Sequence, residues 1–186
     1  MAEKEFGSGH LAMPEDDGKT THLSGLQIPS IGLAATDGST VDLAEGGLTV
    51  VYVYPRTSPA IGGALEGWDA IPGARGCTAQ SCAFRDHFAE LEGMGVERLF
   101  GLSTQATDYQ KEVAERLHLP FPLLSDSSLT FSCALELPLF EVGGMTFIKR
   151  LTLIIDNGRV EHVFYPVFQP ERNASDVMVW LSSRNT

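Results

Sequence analysis

Two cysteines, Cys77 and Cys82, stand five positions apart in the stretch Gly76-Cys77-Thr78-Ala79-Gln80-Ser81-Cys82-Ala83-Phe84-Arg85-Asp86. A Gly- and Pro-rich loop precedes them and a helical pattern follows, which puts Cys77 at a helix N-terminus. A sulfur there faces backbone N–H groups without intrahelical partners and the positive end of the helix dipole. Both favour the thiolate, the nucleophilic form. Gly76 permits a tight turn and the close approach of a small substrate. The same N–H groups can hold negative charge that develops on an oxygen reacting at sulfur.

Geometry constrains Cys82. Five residues along a helix rise about 7.5 Å, whereas a disulfide needs Cα atoms within about 4.4–6.8 Å. If the two thiols condense, the first helical turn must unwind between reaction steps. Cys82 reads equally well as an ordinary buried thiol, and Cys133, among Phe131, Ala134 and Leu135, reads as one. Arg85 and His87 lie about 12 and 15 Å along the helix from Cys77, too far to serve as base or counter-charge. Arg75 suits a solvated position, and Arg150, just before a strand, can reach back through space. A zinc site built from Cys77, Cys82 and His87 lacks close ligand pairing and a fourth ligand.

These residues need a platform, and the chain supplies one. Residues 1–24 mix Gly, Ser, Glu, Asp and Lys without periodicity and are expected to form a flexible extension; residues 25–186 form the domain. Leu48–Tyr54 is apolar on both faces, as a central buried strand requires, and Pro55 stops it. Loop residues 56–76 contain a lone aromatic, Trp68, which fits an anchor for the loop better than a lid over a pocket. Phe84, Phe88 and Leu91 predict one helix ending at Gly93. Leu99–Ser103 is the next strand. Thr107 to Gln110 has the form of a capping box, starting a helix that buries Tyr109, Val113 and Leu117 and pairs Glu112 with Arg116. A short strand follows within 121–126, then a helix over 127–137. Leu151–Ile155 and Val160–Tyr165 form a hairpin around Asp156-Asn157-Gly158. Asn173 or Ser175 caps a last helix with Val177, Trp180 and Leu181 on its apolar stripe. The alternation implies an α/β domain with a mixed sheet: parallel strands first, then an antiparallel pair.

Composition narrows the function. With 43% hydrophobic and 20% charged residues, the chain of 186 residues is ordinary globular protein. A net charge of −11 argues against nucleic acid or an anionic membrane as partner. The longest obvious apolar run is too short to span a bilayer. The start lacks the order of a signal peptide, and three cysteines without a secretory signal suggest reduced thiols, so a cytoplasmic location is expected.

Gly76-Cys77-Thr78, Cys82 and Phe84-Arg85-Asp86, together with Asp37-Gly38, Val51–Pro55 and Arg150–Asp156, resemble the peroxiredoxin family. The resemblance runs from about Leu26 to the last helix and points to the Q-type, or bacterioferritin comigratory protein, branch. It implies a thioredoxin-like fold with helices on both faces of the sheet. It also implies a peroxidase for hydrogen peroxide or organic hydroperoxides, acting as monomer or homodimer without cofactor or metal. By it, Cys77 becomes a sulfenic acid, Cys82 resolves it to a disulfide, and a thioredoxin-type donor reduces that disulfide. Arg150 matches the family arginine that polarises the peroxide, and Pro55, Gly76, Thr78 and Trp68 are candidate pocket residues.

The family pattern Pro-x-x-x-Thr/Ser-x-x-Cys is broken. Ala74 stands where a hydroxyl is expected, and about fifteen extra residues separate Pro55 from Cys77, so 56–71 is an insertion at the mouth of the site. Thr57, Ser58 or Thr78 could supply the hydroxyl. Gly143-Gly144-Met145 suits either the site wall or a plain turn. A competing reading is a non-catalytic, redox-responsive interaction module in which the missing hydroxyl and the inserted loop have abolished turnover.

Overall fold

The computed structural model describes residues 12–59, 61–63 and 65–184. Nine strands occur among them: β1 (Gly32–Ala35), β2 (Thr40–Asp42), β3 (Thr49–Val53), β4 (Arg98–Ser103), β5 (Leu123–Ser125), β6 (Leu139–Val142), β7 (Met145–Ile148), β8 (Leu151–Asp156) and β9 (Arg159–Phe164). The α-helices are α1 (Cys77–Asp86), α2 (Phe88–Gly93), α3 (Thr107–Arg116), α4 (Thr130–Ala134) and α5 (Asn173–Arg184). Seven strands form one mixed sheet in the order β2-β1-β5-β4-β3-β8-β9, and β6 and β7 form a separate hairpin. β3, β4 and β5 run parallel, while β8 and β9 add antiparallel neighbours on one side.

Alternation along β3 explains the layering, because successive side chains point to opposite faces. Val51 and Val53 enter the core with Leu102, Leu153, Ile155 and Phe131 of α4. Val50 and Tyr52 face the other core, formed with Phe84, Leu91, Val113, Val177 and Leu181 from the remaining helices. Every β3 residue is buried, as a strand covered on both faces requires. The Tyr52 ring lies parallel to Phe84 at 4.6 Å, and its hydroxyl donates to Ser81 Oγ at 3.0 Å, which ties β3 to α1. At the β8–β9 turn Asn157 and Gly158 both have positive φ, 49° and 75°, the backbone that a two-residue hairpin turn demands.

Several expectations need correction. The domain reaches back past residue 25, since Leu23 is fully buried in the main core. Asp17 accepts hydrogen bonds from Lys149 Nζ at 2.9 Å and Tyr165 Oη at 2.8 Å. Residues 1–11 of the expected extension lie outside the described residues. The helix after Cys77 breaks at His87 into α1 and α2. Thr107 is the first residue of α3 rather than its cap, and Ala106 caps without a side-chain bond. Gln110 turns inward instead, accepting from Tyr54 Oη at 2.7 Å and donating to the carbonyls of Gln105 and Leu124. The 127–137 helix shrinks to α4, because Leu129 and Glu136 adopt positive φ on either side of it. Cys133 on that helix is exposed, not buried: Phe131 and Ser132 take the inward face. Gly143 and Gly144 form the turn between β6 and β7, a hairpin whose strands were not foreseen.

Candidate active site

Strand register delivers the two halves of the site to one end of the sheet. β3 and β8 pair antiparallel with Val53 opposite Leu151, so the loop leaving β3 and the residue entering β8 are neighbours. The first leads to Cys77 and the second is Arg150. Cys77 is the first residue of α1, and Gly76 before it has φ 102°. A Cβ at Gly76 would approach Pro170 to 2.6 Å, so the turn requires glycine both for its conformation and for space.

Arg150 is buried, and its guanidinium is the centre of the arrangement. Nη2 donates to Cys77 Sγ at 3.2 Å and reaches the carbonyls of Gly73, Ala74 and Arg75 at 3.4, 3.3 and 2.9 Å. Nη1 donates to Gln80 Oε1. Gln80 Nε2 in turn donates to Asn173 Oδ1 at 2.9 Å, and Thr152 Oγ1 donates to the same oxygen at 2.6 Å. All of these side chains are buried. Among the described residues, Arg150 Nε is the one buried side-chain polar atom with no hydrogen-bond partner. The Cys77 thiol itself donates to the Ala74 carbonyl at 3.6 Å.

Cys77 opens into a cavity of about 410 Å³ lined by Arg56, Thr57, Ser58, Trp68, Asp69 and Arg75, with Thr78 beside the sulfur in sequence. The three hydroxyl candidates thus share one cavity, but they differ in rigidity. Thr57 is buried; its backbone N–H and Oγ1 both donate to Gln105 Oε1, at 3.0 and 3.2 Å, and its carbonyl accepts from Tyr109 Oη at 2.8 Å. Ser58 and Thr78 are exposed. Pro55, a candidate pocket residue, is buried and does not line the cavity; its carbonyl accepts from Ser103 Oγ at 3.3 Å. Trp68 is anchored as well as cavity-lining: its ring packs edge-on against Phe147 at 5.2 Å and tilted against Phe140 at 5.9 Å. The hairpin β6–β7 therefore holds the loop between β3 and α1. Asp69 and Arg75 close the loop with a two-point ion pair at 2.6 and 2.5 Å, so Arg75 is not simply solvated.

Cys82 is half-buried in the core that also contains Cys77, and both thiols are free. α1 is continuous between them, which keeps them apart in this state. Arg85 donates to Asp86 and to the Leu117 carbonyl and takes no part. Tyr52 and Tyr54 lie in the same core; burial pushes both phenols upward, Tyr54 well above its usual value. The arrangement supplies a buried sulfur, a fixed cation touching it and a cavity, which together suit attack by sulfur on a small polar electrophile.

Gln80 and Asn173 escaped the sequence reading. Gln80 is three residues after Cys77 and four before Phe84, on the helix face that turns inward, and that spacing was the available signal. Asn173 has the residue type of a helix cap, yet it starts α5 with its side chain bonded to Gln80 and Thr152.

Comparison with known proteins places the chain in a family and supports its fold. Residues 23–178 match the Redoxin family. The chain is 32% identical over 158 residues to peroxiredoxin Q of Gentiana triflora chloroplasts, covering 83% of this chain but 64% of that protein. It is 32% identical over 162 residues to peroxiredoxin Bcp of Escherichia coli K12, covering 82% and 91% of the two chains. The crystal structure of peroxidoxin BcpB from Mycobacterium tuberculosis superposes with a TM-score of 0.69 at 24% identity, over 86% of this chain and 96% of that one, and establishes the thioredoxin-like fold. No helix among the described residues is long and apolar enough to cross a membrane. The chain belongs to the redoxin family, with relatives that are peroxiredoxins of the Q and Bcp kind.

Proposed function

We propose that this chain is a thiol-dependent peroxidase for hydrogen peroxide or organic hydroperoxides. The Cys77 thiolate attacks one peroxide oxygen, an S–O bond forms as the O–O bond breaks, and the departing oxygen takes up a proton to leave as water or an alcohol. Cys77 is left as a sulfenic acid. The Cys82 thiol then attacks the Cys77 sulfur, the disulfide forms and water leaves, which requires the first turns of α1 to open. A dithiol donor of the thioredoxin type restores both thiols by exchange. Three free cysteines fit a reducing compartment such as the cytoplasm.

The observation that supports this reading most is the Arg150 guanidinium, which reaches Cys77 Sγ at 3.2 Å while keeping Nε unpartnered. One buried cation thereby holds the sulfur, which favours its thiolate form. Stopped-flow oxidation followed by mass spectrometry of the non-reduced peptides tests the scheme. Wild type is expected to give the Cys77–Cys82 disulfide, and Cys82→Ser to stop at sulfenic acid. Turnover that survives Cys77→Ser would sink the scheme. The buried methyl of Ala74, where the family has a hydroxyl, favours the competing reading of a redox-responsive interaction module; oxidation of Cys77 no faster than a free thiol is its signature.

A further inference from the structure

The cavity over Cys77 contains three charged side chains, Arg56, Asp69 and Arg75. Asp69 and Arg75 neutralise one another through two short contacts. Arg56 is left over. It is partly buried, directly follows Pro55, and forms no hydrogen bond or ion pair among the described residues. A cation on a cavity wall, in a chain of net charge −11, has no structural task that its surroundings reveal. The cavity volume, about 410 Å³, lies in the range of small-molecule sites and far exceeds what hydrogen peroxide needs. Its walls combine Trp68 with the exposed hydroxyl-bearing residues Ser58 and Thr78, so they suit a short organic body with polar ends.

We infer that Arg56 is a specificity-determining residue that binds the negatively charged group of an anionic organic hydroperoxide while its peroxide end meets Cys77; this rests on the peroxidase reading above. The group is a carboxylate or another small oxyanion, which matches the planar fork of a guanidinium. The compact cavity sets a second condition: charge and peroxide must be separated by only a few carbon atoms. A neutral hydroperoxide of equal size leaves Arg56 desolvated without an anion and is the poorer substrate.

The test compares 4-hydroperoxy-4-methylpentanoate with its methyl ester, using kcat/KM for wild type, Arg56→Gln and Arg56→Lys. Wild type is expected to favour the acid about tenfold or more, the scale of one charge-assisted hydrogen bond. Arg56→Gln brings the acid-to-ester ratio close to one, and Arg56→Lys keeps part of the preference. Equal rates on acid and ester in a wild-type enzyme that still reduces hydrogen peroxide overturn the inference and leave the peroxidase reading standing. An equal loss on acid, ester and hydrogen peroxide in Arg56→Gln also overturns it, because Arg56 then acts on the sulfur. A measurement independent of turnover uses iodoacetate and iodoacetamide, matched in size and differing in charge. The ratio of their rates at Cys77, read from the labelled peptide, is expected to fall about tenfold in Arg56→Gln; an unchanged ratio overturns the inference whether or not the chain is a peroxidase.

Discussion

Arg150 and Arg75 meet through the backbone: Nη2 of the first donates to the carbonyl of the second at 2.9 Å, and that nitrogen is the one that touches Cys77 Sγ. Arg75 is itself held from the other side by Asp69. The guanidinium therefore shapes the turn before Cys77 as well as the sulfur's surroundings. A lysine ammonium cannot span Gln80, three carbonyls and the thiol at once. Arg150→Lys is expected to slow Cys77 oxidation by about a hundredfold, the cost of losing one preorganised donor to developing charge. Stopped-flow oxidation measures it, and a loss below threefold would remove Arg150 from the reaction.

Gln80 ought to behave as a positioning residue. It contacts Arg150 on one side and Asn173 on the other without lining the Cys77 cavity. Gln80→Leu leaves Arg150 Nη1 without its partner and Asn173 Oδ1 with Thr152 alone, a penalty of about 1–3 kcal/mol for an unsatisfied buried group. Denaturant unfolding should register that loss. A double-mutant cycle with Asn173→Ala should give a coupling above about 0.5 kcal/mol, as expected for side chains in one network. Additive effects would show that the two act separately.

The hydroxyl of Tyr52 offers a way to separate attack from resolution. Its bond to Ser81 joins β3 to the second turn of α1, the segment that must open before Cys82 can reach Cys77. Tyr52→Phe removes about 1 kcal/mol from that closure while keeping the ring against Phe84. Disulfide formation should quicken about fivefold and sulfenic acid formation should change little, measured as the two phases of a tryptophan fluorescence trace. A slower second phase would contradict the need for opening.

Acid should release residues 12–17. Burial raises the Asp17 carboxyl, but the hydrogen bonds from Lys149, Tyr165 and the Lys19 backbone, with the Lys149 charge, outweigh it and hold the group at about 2. A carboxyl depressed in the folded state contributes stability above its unfolded value, near 3.8, and loses it as pH falls toward 2. Thermal unfolding of wild type should decline across that window, and Asp17→Asn should flatten this part of the decline while lowering stability at pH 7. Parallel curves for the two proteins would assign the acid sensitivity elsewhere.

Local patterns carried much of the fold. β3, β4, β8 and β9 have apolar runs or an Asn-Gly turn that few other structures satisfy, and Cys77 was legible because a glycine and a new helical period meet there. Where the reading failed, tertiary contacts had overridden local signals. Thr107 and Gln110 spell a capping box, but Tyr54 and the carbonyls at 105 and 124 draw Gln110 into the core. Asn173 resembles a cap and instead completes a polar chain starting 93 positions away at Gln80. Leu23 sits in a polar stretch without periodicity, and one buried side chain leaves no pattern to detect. The residues alone left Arg150 a cation that can reach back through space; the resemblance linked it to Cys77, and the β3–β8 register supplies the physical reason.

The pairing of Val53 with Leu151 has a corollary for the loop that follows β3. Sulfur and guanidinium are brought together by the ladder between two central strands, so the length of chain between Pro55 and Gly73 is free to drift. Doubling a flexible loop costs only about 0.6 kcal/mol in closure entropy, and Trp68 offsets part of that by docking on Phe140 and Phe147. Such a scaffold tolerates a change of length in this loop while keeping the contact between Arg150 and Cys77, so shortening the loop between Pro55 and Gly73 is expected to alter the cavity more than that contact.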